Sequence, residues 1–370
     1  MKYTLLLTQQ CNLRCSYCYI GKKPESMSIR TAKDAIDFIF RNQIPDEDIN
    51  IGFFGGEPFL EFDLMQDILK MIRNHRDYDP SRVKFSVVTN GTIYNKSIAS
   101  FLKEHKIGLV ISCDGKPDIQ DKFRLFPDGK KSSNIVEETI RMALEDLGQV
   151  PVNAVYHPTT LRALPETVQY FSELGIRQIY LSPDFSADWG KNDIEMLQGI
   201  YDCIGEIFVS KYLEEDPHFI SLIDSKLTVI LRGGYQPQER CRMGRGEMAF
   251  TPLGRIYPCE RLIGSGENGH CIGDLAGGLK LDKMLCHKAE GEELNHECND
   301  CHVREYCMNW CGCSNYQATG FYNRVSGFLC ASEKAAMKTS LEAIKRLEQE
   351  GDPRFIQHLT GYPMMNSIKI

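Results

Sequence analysis

From residue 1 to about 212, short runs of β-branched and aromatic residues alternate with longer amphipathic stretches, the pattern of βα units that build a parallel sheet. Strands are expected at Tyr3–Leu7, Asn50–Phe54, Lys84–Thr89, Gly108–Cys113, Val150–Tyr156 and Gln178–Leu181. Between them, apolar residues recur at helical spacing over Ile29–Phe40, where Ser28 is a cap candidate, and over Leu64–Ile72, Ile93–His105, Asn134–Leu147 and Leu164–Leu174. Six units are too few for a closed eight-stranded barrel and suit an open, partial (β/α)6 barrel of α/β class. Active-site groups then gather at the carboxyl ends of the strands. From Glu239 to Cys330 the texture changes to dense Cys and Gly with only short apolar runs, too little for a large hydrophobic core, so metal is the expected staple. A helix rich in Ala, Lys, Glu and Leu is expected over Glu333–Glu350. The expected organisation is a barrel over 1–212, a bridging segment over 213–238, a Cys-rich domain over 239–332, and a helix and tail over 333–370.

Composition narrows the chemistry. The 370 residues are 42% hydrophobic and 25% charged, with 43 Lys+Arg against 50 Asp+Glu and a net charge of −7. This excludes a disordered or collagen-like chain and argues against a nucleic-acid coat, which needs a concentrated basic face. No stretch has the length of a signal-peptide core or a membrane span, so the expectation is a soluble, cytoplasmic protein with neither nucleic-acid nor membrane partners. Fifteen cysteines, an odd and large number where disulfides do not persist, point to metal or redox chemistry. Three lie in the first 18 residues, Cys113 and Cys203 stand apart, and ten fall between Cys241 and Cys330.

Cys11, Cys15 and Cys18 form C-x3-C-x2-C directly after the first strand. Three thiolates on one short loop can grip three irons of a cubane cluster and leave the fourth without a protein ligand. A tetrahedral zinc site is the alternative, but it needs a fourth ligand, and the nearest His, His75 and His105, lie at expected helix ends. One βα unit later, a strand ends in Gly55-Gly56-Glu57-Pro58, where glycines permit close backbone approach to a ligand and Glu57 can accept from an ammonium group.

The cysteine loop, with Tyr17 before its third cysteine, resembles that of the radical S-adenosylmethionine (SAM) enzymes. The resemblance implies that the open iron chelates the amino and carboxylate groups of SAM, with Tyr17 near the adenine and Gly55, Gly56 and Glu57 at the amino group. It also implies that polar groups such as Ser112, Asp114 and Arg124 surround the ribose and carboxylate, although a turn with surface charges explains these equally. Thr89-Asn90-Gly91 can be simply a turn. When loaded, such an enzyme cleaves SAM reductively and abstracts a hydrogen atom from its substrate.

The second region reads C-x12-G-x4-C from Cys241 through Gly254 to Cys259, then Cys298-x2-Cys301-x5-Cys307-x3-Cys311, and finally Cys330. Zinc ribbons also use C-x2-C pairs. The seven-cysteine order resembles the SPASM extension of radical SAM enzymes that modify peptides and proteins. That implies two auxiliary [4Fe-4S] clusters and three in all. Cys298, Cys301, Cys307 and Cys330 would hold the distal one, and Cys241, Cys259 and Cys311 three corners of the proximal one. Its fourth ligand is open among Cys271, Cys286, Cys313 and a substrate thiol, because Tyr235, Gln236 and Pro237 stand where some relatives carry a cysteine. Cys113 and Cys203 are expected to be small buried hydrophobes.

Glu260 follows Cys259 at a position where sulfatase-maturing relatives have an aspartate proposed as a base, which makes it the acid-base candidate, with a structural ion pair as the alternative. Asp184, Asp188, His157 and Tyr180 lie near expected strand ends. The resemblance implies a maturase of a ribosomally made precursor peptide, forming a thioether or other side-chain cross-link, or else an anaerobic sulfatase maturase making formylglycine. It further implies an external electron donor such as flavodoxin or ferredoxin. Because the cysteine loop begins at Cys11, a separate leader-binding protein is a possible partner. An electron-transfer protein or zinc scaffold, which would not cleave SAM, is the non-catalytic alternative.

Overall fold

The computed structural model describes residues 1–45, 47–236, 239, 243–244, 246–264, 269–280, 295–350 and 355. All six expected strands form: β1 (Lys2–Thr8), β2 (Ile49–Gly55), β3 (Val83–Thr89), β4 (Ile107–Ser112), β5 (Val152–Tyr156) and β6 (Gln178–Pro183). So do the five expected barrel helices, α1 (Ile29–Arg41), α2 (Phe62–Arg73), α3 (Lys96–His105), α5 (Ser133–Leu147) and α6 (Leu164–Glu173), with a short α4 (Pro117–Phe123) before α5. The architecture is mixed α/β with parallel strands, as the alternating pattern implied. Ser28 caps α1 through the Thr31 N–H at 3.0 Å. The third helix begins three residues later than expected because the Asn95 side chain accepts from the Ile98 N–H and sets the first turn there.

The described residues fall into two compact units. The first takes in those of Met1–Ser112, Gln120–Gly148 and Arg242–Ala289. In its sheet β1 to β4 run parallel in chain order, and β8 (Glu247–Phe250) lies parallel to β1 on the opposite side. Beyond β8 come the antiparallel β9 (Arg255–Tyr257), β10 (Gly273–Asp274) and β11 (Gly278–Leu279). Central β1 is buried from Tyr3 to Thr8, whereas β2 and β3 alternate buried with more open positions. Part of the cysteine-rich region thus has a hydrophobic anchor that short runs alone did not disclose. Ala249, Phe250, Ile256 and Tyr257 are buried because they extend an existing sheet and need no core of their own.

The second unit takes in the described residues of Cys113–Ile119, Gln149–Cys241 and Glu290–Ile370. Here β5, β6 and β7 (Phe219–Ile220) are parallel neighbours. Two helices outside the sequence expectation, α7 (Lys191–Leu213) and α8 (Ser221–Arg232), precede α9 (Gly312–Thr319) and the long α10 (Gly327–Gln349). The last begins six residues before Glu333 because Ser326 caps it, accepting from the Leu329 N–H at 3.2 Å, and this places Cys330 in its first turn. The expectation for Cys203 needs correction: it is exposed on α7, whose buried stripe of Leu197, Tyr201, Ile204, Phe208 and Tyr212 faces elsewhere. Cys113 is buried as expected. No described helix is long and apolar enough to cross a membrane.

Candidate active site

The amino-terminal cysteine loop leaves the carboxyl end of β1, and β2 and β3 deliver its neighbours. The Gly55-Gly56 pair permits close backbone approach, but to the chain itself. A Cβ on Gly56 would lie 2.0 Å from the Gln10 carbonyl oxygen and 2.9 Å from Cys11 Cβ, and one on Gly55 would lie 2.5 Å from the Thr8 carbonyl oxygen. The Gly56 and Glu57 N–H groups donate to the Thr8 and Gln10 carbonyls, stitching β2 to the start of the loop. Gly56→Ala must therefore push the Gln10 backbone and the Cys11 side chain aside, an overpacking expected to cost about 1–3 kcal/mol in denaturant unfolding.

Glu57 is fully buried. Its Oε1 accepts from the Phe59 N–H (3.0 Å) and Thr89 Oγ1 (2.8 Å), and its Oε2 from the Asn90 N–H (2.7 Å). Burial pushes its carboxyl up to about 7, against the pull of these bonds. An ionised carboxylate offers about four acceptor positions, so one remains. The Thr89-Asn90-Gly91 turn, which the sequence left without a role, is thus part of the site. Asn90 Nδ2 donates to Asn12 Oδ1 (2.9 Å) and reaches Cys11 Sγ at 3.6 Å. The Leu13 N–H also donates to Cys11 Sγ (3.4 Å), and Lys22 Nζ lies 3.2 Å from Cys18 Sγ. Donors and a cation directed at thiols suit thiolate ligands.

Of the other SAM-contact candidates, Arg124 is buried and stacks its guanidinium over the Tyr17 ring at 5.4 Å, while Phe123 flanks the same ring at 5.9 Å. Ser112 ends β4, half-buried. Asp114 accepts from the Val155 N–H at 3.0 Å, a structural use. His157 and Asp184 accept within local turns from Thr159 and Ser186, Tyr180 packs on Phe219, and Asp188 is exposed.

Glu260 opens a short helical turn after β9 and joins a cluster that no local pattern announced. Register sets Lys2 beside Glu247 across β1 and β8, and Lys2 Nζ bonds Glu247 Oε1 at 2.8 Å and Glu260 Oε1 at 3.3 Å. Burial and the hydrogen bond and charge of Glu260 push the Glu247 carboxyl up. Burial opposes ionisation of Glu260 too, but the Glu247 hydrogen bond, Lys2 and Arg261 prevail and hold it well below the usual range. The two carboxyls titrate as a pair, with Glu247 the member pushed towards its neutral form. Cys259 Sγ lies 3.8 Å from Glu260 Oε2.

In the second unit, Cys298, Cys301, Cys307 and Cys330 line one pocket with Trp310 and Glu333. Two come from short helical turns and their flanks, Cys307 from the following loop, and Cys330 from α10. The Asn309 N–H donates to Cys307 Sγ at 3.4 Å, and burial, with Glu333 adding, pushes the Cys307 thiol up to about 12. Four sulfurs around one largely apolar cavity fit an iron-sulfur cluster or a tetrahedral metal. No disulfide joins the described cysteines. Cys311 and Cys313 lie with sulfurs 3.3 Å apart at the start of α9, and Cys271 Sγ contacts the Gly273 carbonyl. Cys241 and Cys286 lie outside the described residues. Asn90, Lys2, Glu247 and Glu333 join these clusters, and the sequence reading missed them. Only Asn90 carried a local signal, as the end of the strand after the glycine pair.

Residues 5–171 match the family model of the Radical SAM superfamily. Radical SAM cyclopropyl synthase TigE of Paramaledivibacter caminithermalis is 23% identical over 83% of this chain and 66% of its own length, so the chain spans just under two thirds of it. A cysteine-type anaerobic sulfatase-maturating enzyme of Clostridium novyi is 24% identical over 91% of this chain and 94% of its own. The solved structure of native anSMEcpe with bound AdoMet shares the fold, with a TM-score of 0.78 at 19% identity, covering 94% of this chain and 99% of that one. With its cysteine loop directly after the first strand of a parallel βα array, and with the family model matched from β1 through β5 and α6, residues 5–171 are a radical SAM domain.

Proposed function

We propose that this radical SAM enzyme is a maturase that oxidises a side chain of a precursor peptide or protein, and that its product is a cross-link such as a thioether from a Cys sulfur to a carbon of another residue. The observation that carries the reading is the ring of Cys298, Cys301, Cys307 and Cys330 about one pocket, in a chain whose amino-terminal part is a radical SAM domain. The radical SAM domain match implies SAM and one [4Fe-4S] cluster, which when bound supply one-electron chemistry and a hydrogen-abstracting radical.

The chain's own residues do the rest. In this reading Cys11, Cys15 and Cys18 hold the first cluster, and Gly56 and Asn90 fix the course of that loop. Glu57 keeps its remaining acceptor position for the SAM ammonium, while Tyr17 and Arg124 form a stacked wall for the adenosyl and carboxylate parts. Ser112 contributes a hydroxyl at the end of β4. Cys298, Cys301, Cys307 and Cys330 hold one auxiliary cluster, and Cys241, Cys259 and Cys311 contribute to another. The Glu247–Glu260 pair, bridged by Lys2 and set beside Cys259, is the candidate acceptor for a substrate proton. A low-potential donor of flavodoxin or ferredoxin type supplies electrons.

Formation of formylglycine from Cys or Ser is the second reading, favoured by the sulfatase-maturating relative, which matches this chain over 94% of its own length. Anaerobic incubation with SAM, reductant and Cys-containing peptides, followed by fragmentation mass spectrometry, separates the two. Both routes oxidise the peptide by two electrons, but a thioether loses two hydrogens and keeps its sulfur and its two halves joined, whereas formylglycine from Cys takes oxygen from water as the sulfur leaves as sulfide, and its aldehyde reacts with hydrazine. A peptide whose sole Cys is changed to Ser should not be oxidised. Turnover of that peptide at an unchanged rate overturns the thioether reading.

A further inference from the structure

Among the described residues of the second unit, the most deeply buried Lys or Arg is one that the reaction does not use. Lys226, on α8, is 2% exposed. Its Nζ bonds Glu333 Oε2 at 2.6 Å and the Tyr306 carbonyl at 3.3 Å, and it lies 5.5 Å from the centroid of the Tyr235 ring. The same Glu333 oxygen accepts from the Met308 N–H at 2.7 Å. This one ion pair therefore holds the residues on both sides of Cys307. Glu333 also stands three residues after Cys330 on α10 and lines the four-cysteine pocket.

Resting on the auxiliary-cluster reading above, we propose that Lys226 and Glu333 are positioning residues that fix Cys307 against Cys330 and set the reduction potential of the cluster held by Cys298, Cys301, Cys307 and Cys330. Two physical consequences follow, with opposite signs. Reduction adds one negative charge to a poorly solvated site, where a nearby fixed charge acts with little screening. The Lys226 ammonium favours the reduced form and raises the potential, and the Glu333 carboxylate opposes it. The pair exists as a pair because a single buried charge of either sign would be costly to desolvate.

The test is a redox titration of anaerobically reconstituted full-length protein, followed by electron paramagnetic resonance, with iron counted on each sample. Lys226→Met should lower the midpoint of one auxiliary cluster, and Glu333→Gln should raise that of the same cluster. A tenfold change in the oxidised-to-reduced ratio corresponds to 59 mV for one electron. Loosened packing alone would move both variants the same way, so shifts of equal sign, or unmoved midpoints with iron retained, overturn the proposal. If a single variant loses the cluster, Lys226→Met/Glu333→Gln, which removes both charges, should keep it and titrate between the two singles. Loss of that iron in the double variant also overturns the proposal. Wild-type protein holding about four irons per chain rather than about twelve would instead sink the auxiliary-cluster reading itself, a failure visible before any variant is made.

Discussion

Replacing Cys15 by alanine should bring reductive SAM cleavage, measured as 5′-deoxyadenosine, down to background, while about eight of about twelve irons remain. The reason lies in the geometry of the loop. Cys11, Cys15 and Cys18 span eight residues, and the Cys18 N–H already bonds the Cys15 carbonyl, so the middle cysteine organises the other two. Two thiolates cannot hold a cluster with a single open corner. Cys298→Ala should give the converse result, losing about four irons while 5′-deoxyadenosine still forms in the absence of peptide. Equal SAM cleavage by wild type and Cys15→Ala would exclude the enzyme reading.

Glu57→Gln should destabilise the protein and erase part of its pH dependence. The carboxylate serves three donors from both of its oxygens, so in either orientation an amide turns its NH2 toward at least one of them. Each buried donor left without an acceptor costs about 1–3 kcal/mol. The pH signature comes from burial, which raises this carboxyl from 4.5 to about 7 in the folded chain. Between those values the native state holds a proton that the unfolded state releases, so stability is greatest below pH 4.5, falls as pH rises to about 7, and is level above. The fall is up to about 3 kcal/mol at 1.36 kcal/mol per unit. Urea unfolding at several pH values should show this slope in the wild type and not in the variant. A variant with the same slope would assign the pH dependence to another group. Because Asn90 also reaches Cys11 Sγ, the variant should hold less iron at the first loop.

The sequence alone determined the features whose information is local. Strands and helices of the βα array could be read to within a few residues, because burial of one face imprints a period of two or near 3.6 on the chain. The cysteine spacings were legible for the same reason, since ligands close along the chain must be close in space. Only the tertiary structure decided which distant residues meet. Lys2 and Glu247 become neighbours through strand register across 245 positions, Lys226 and Glu333 across 107, and Glu57 and Asn90 across 33. No periodicity encodes such pairs: register alone sets Lys2 beside Glu247, and for Lys226 and Glu57 the desolvation cost of a buried charge selects its compensation wherever the fold places it. The same holds for Gly56, whose missing side chain could be seen in the sequence, but whose neighbour, the backbone of the cysteine loop, could not.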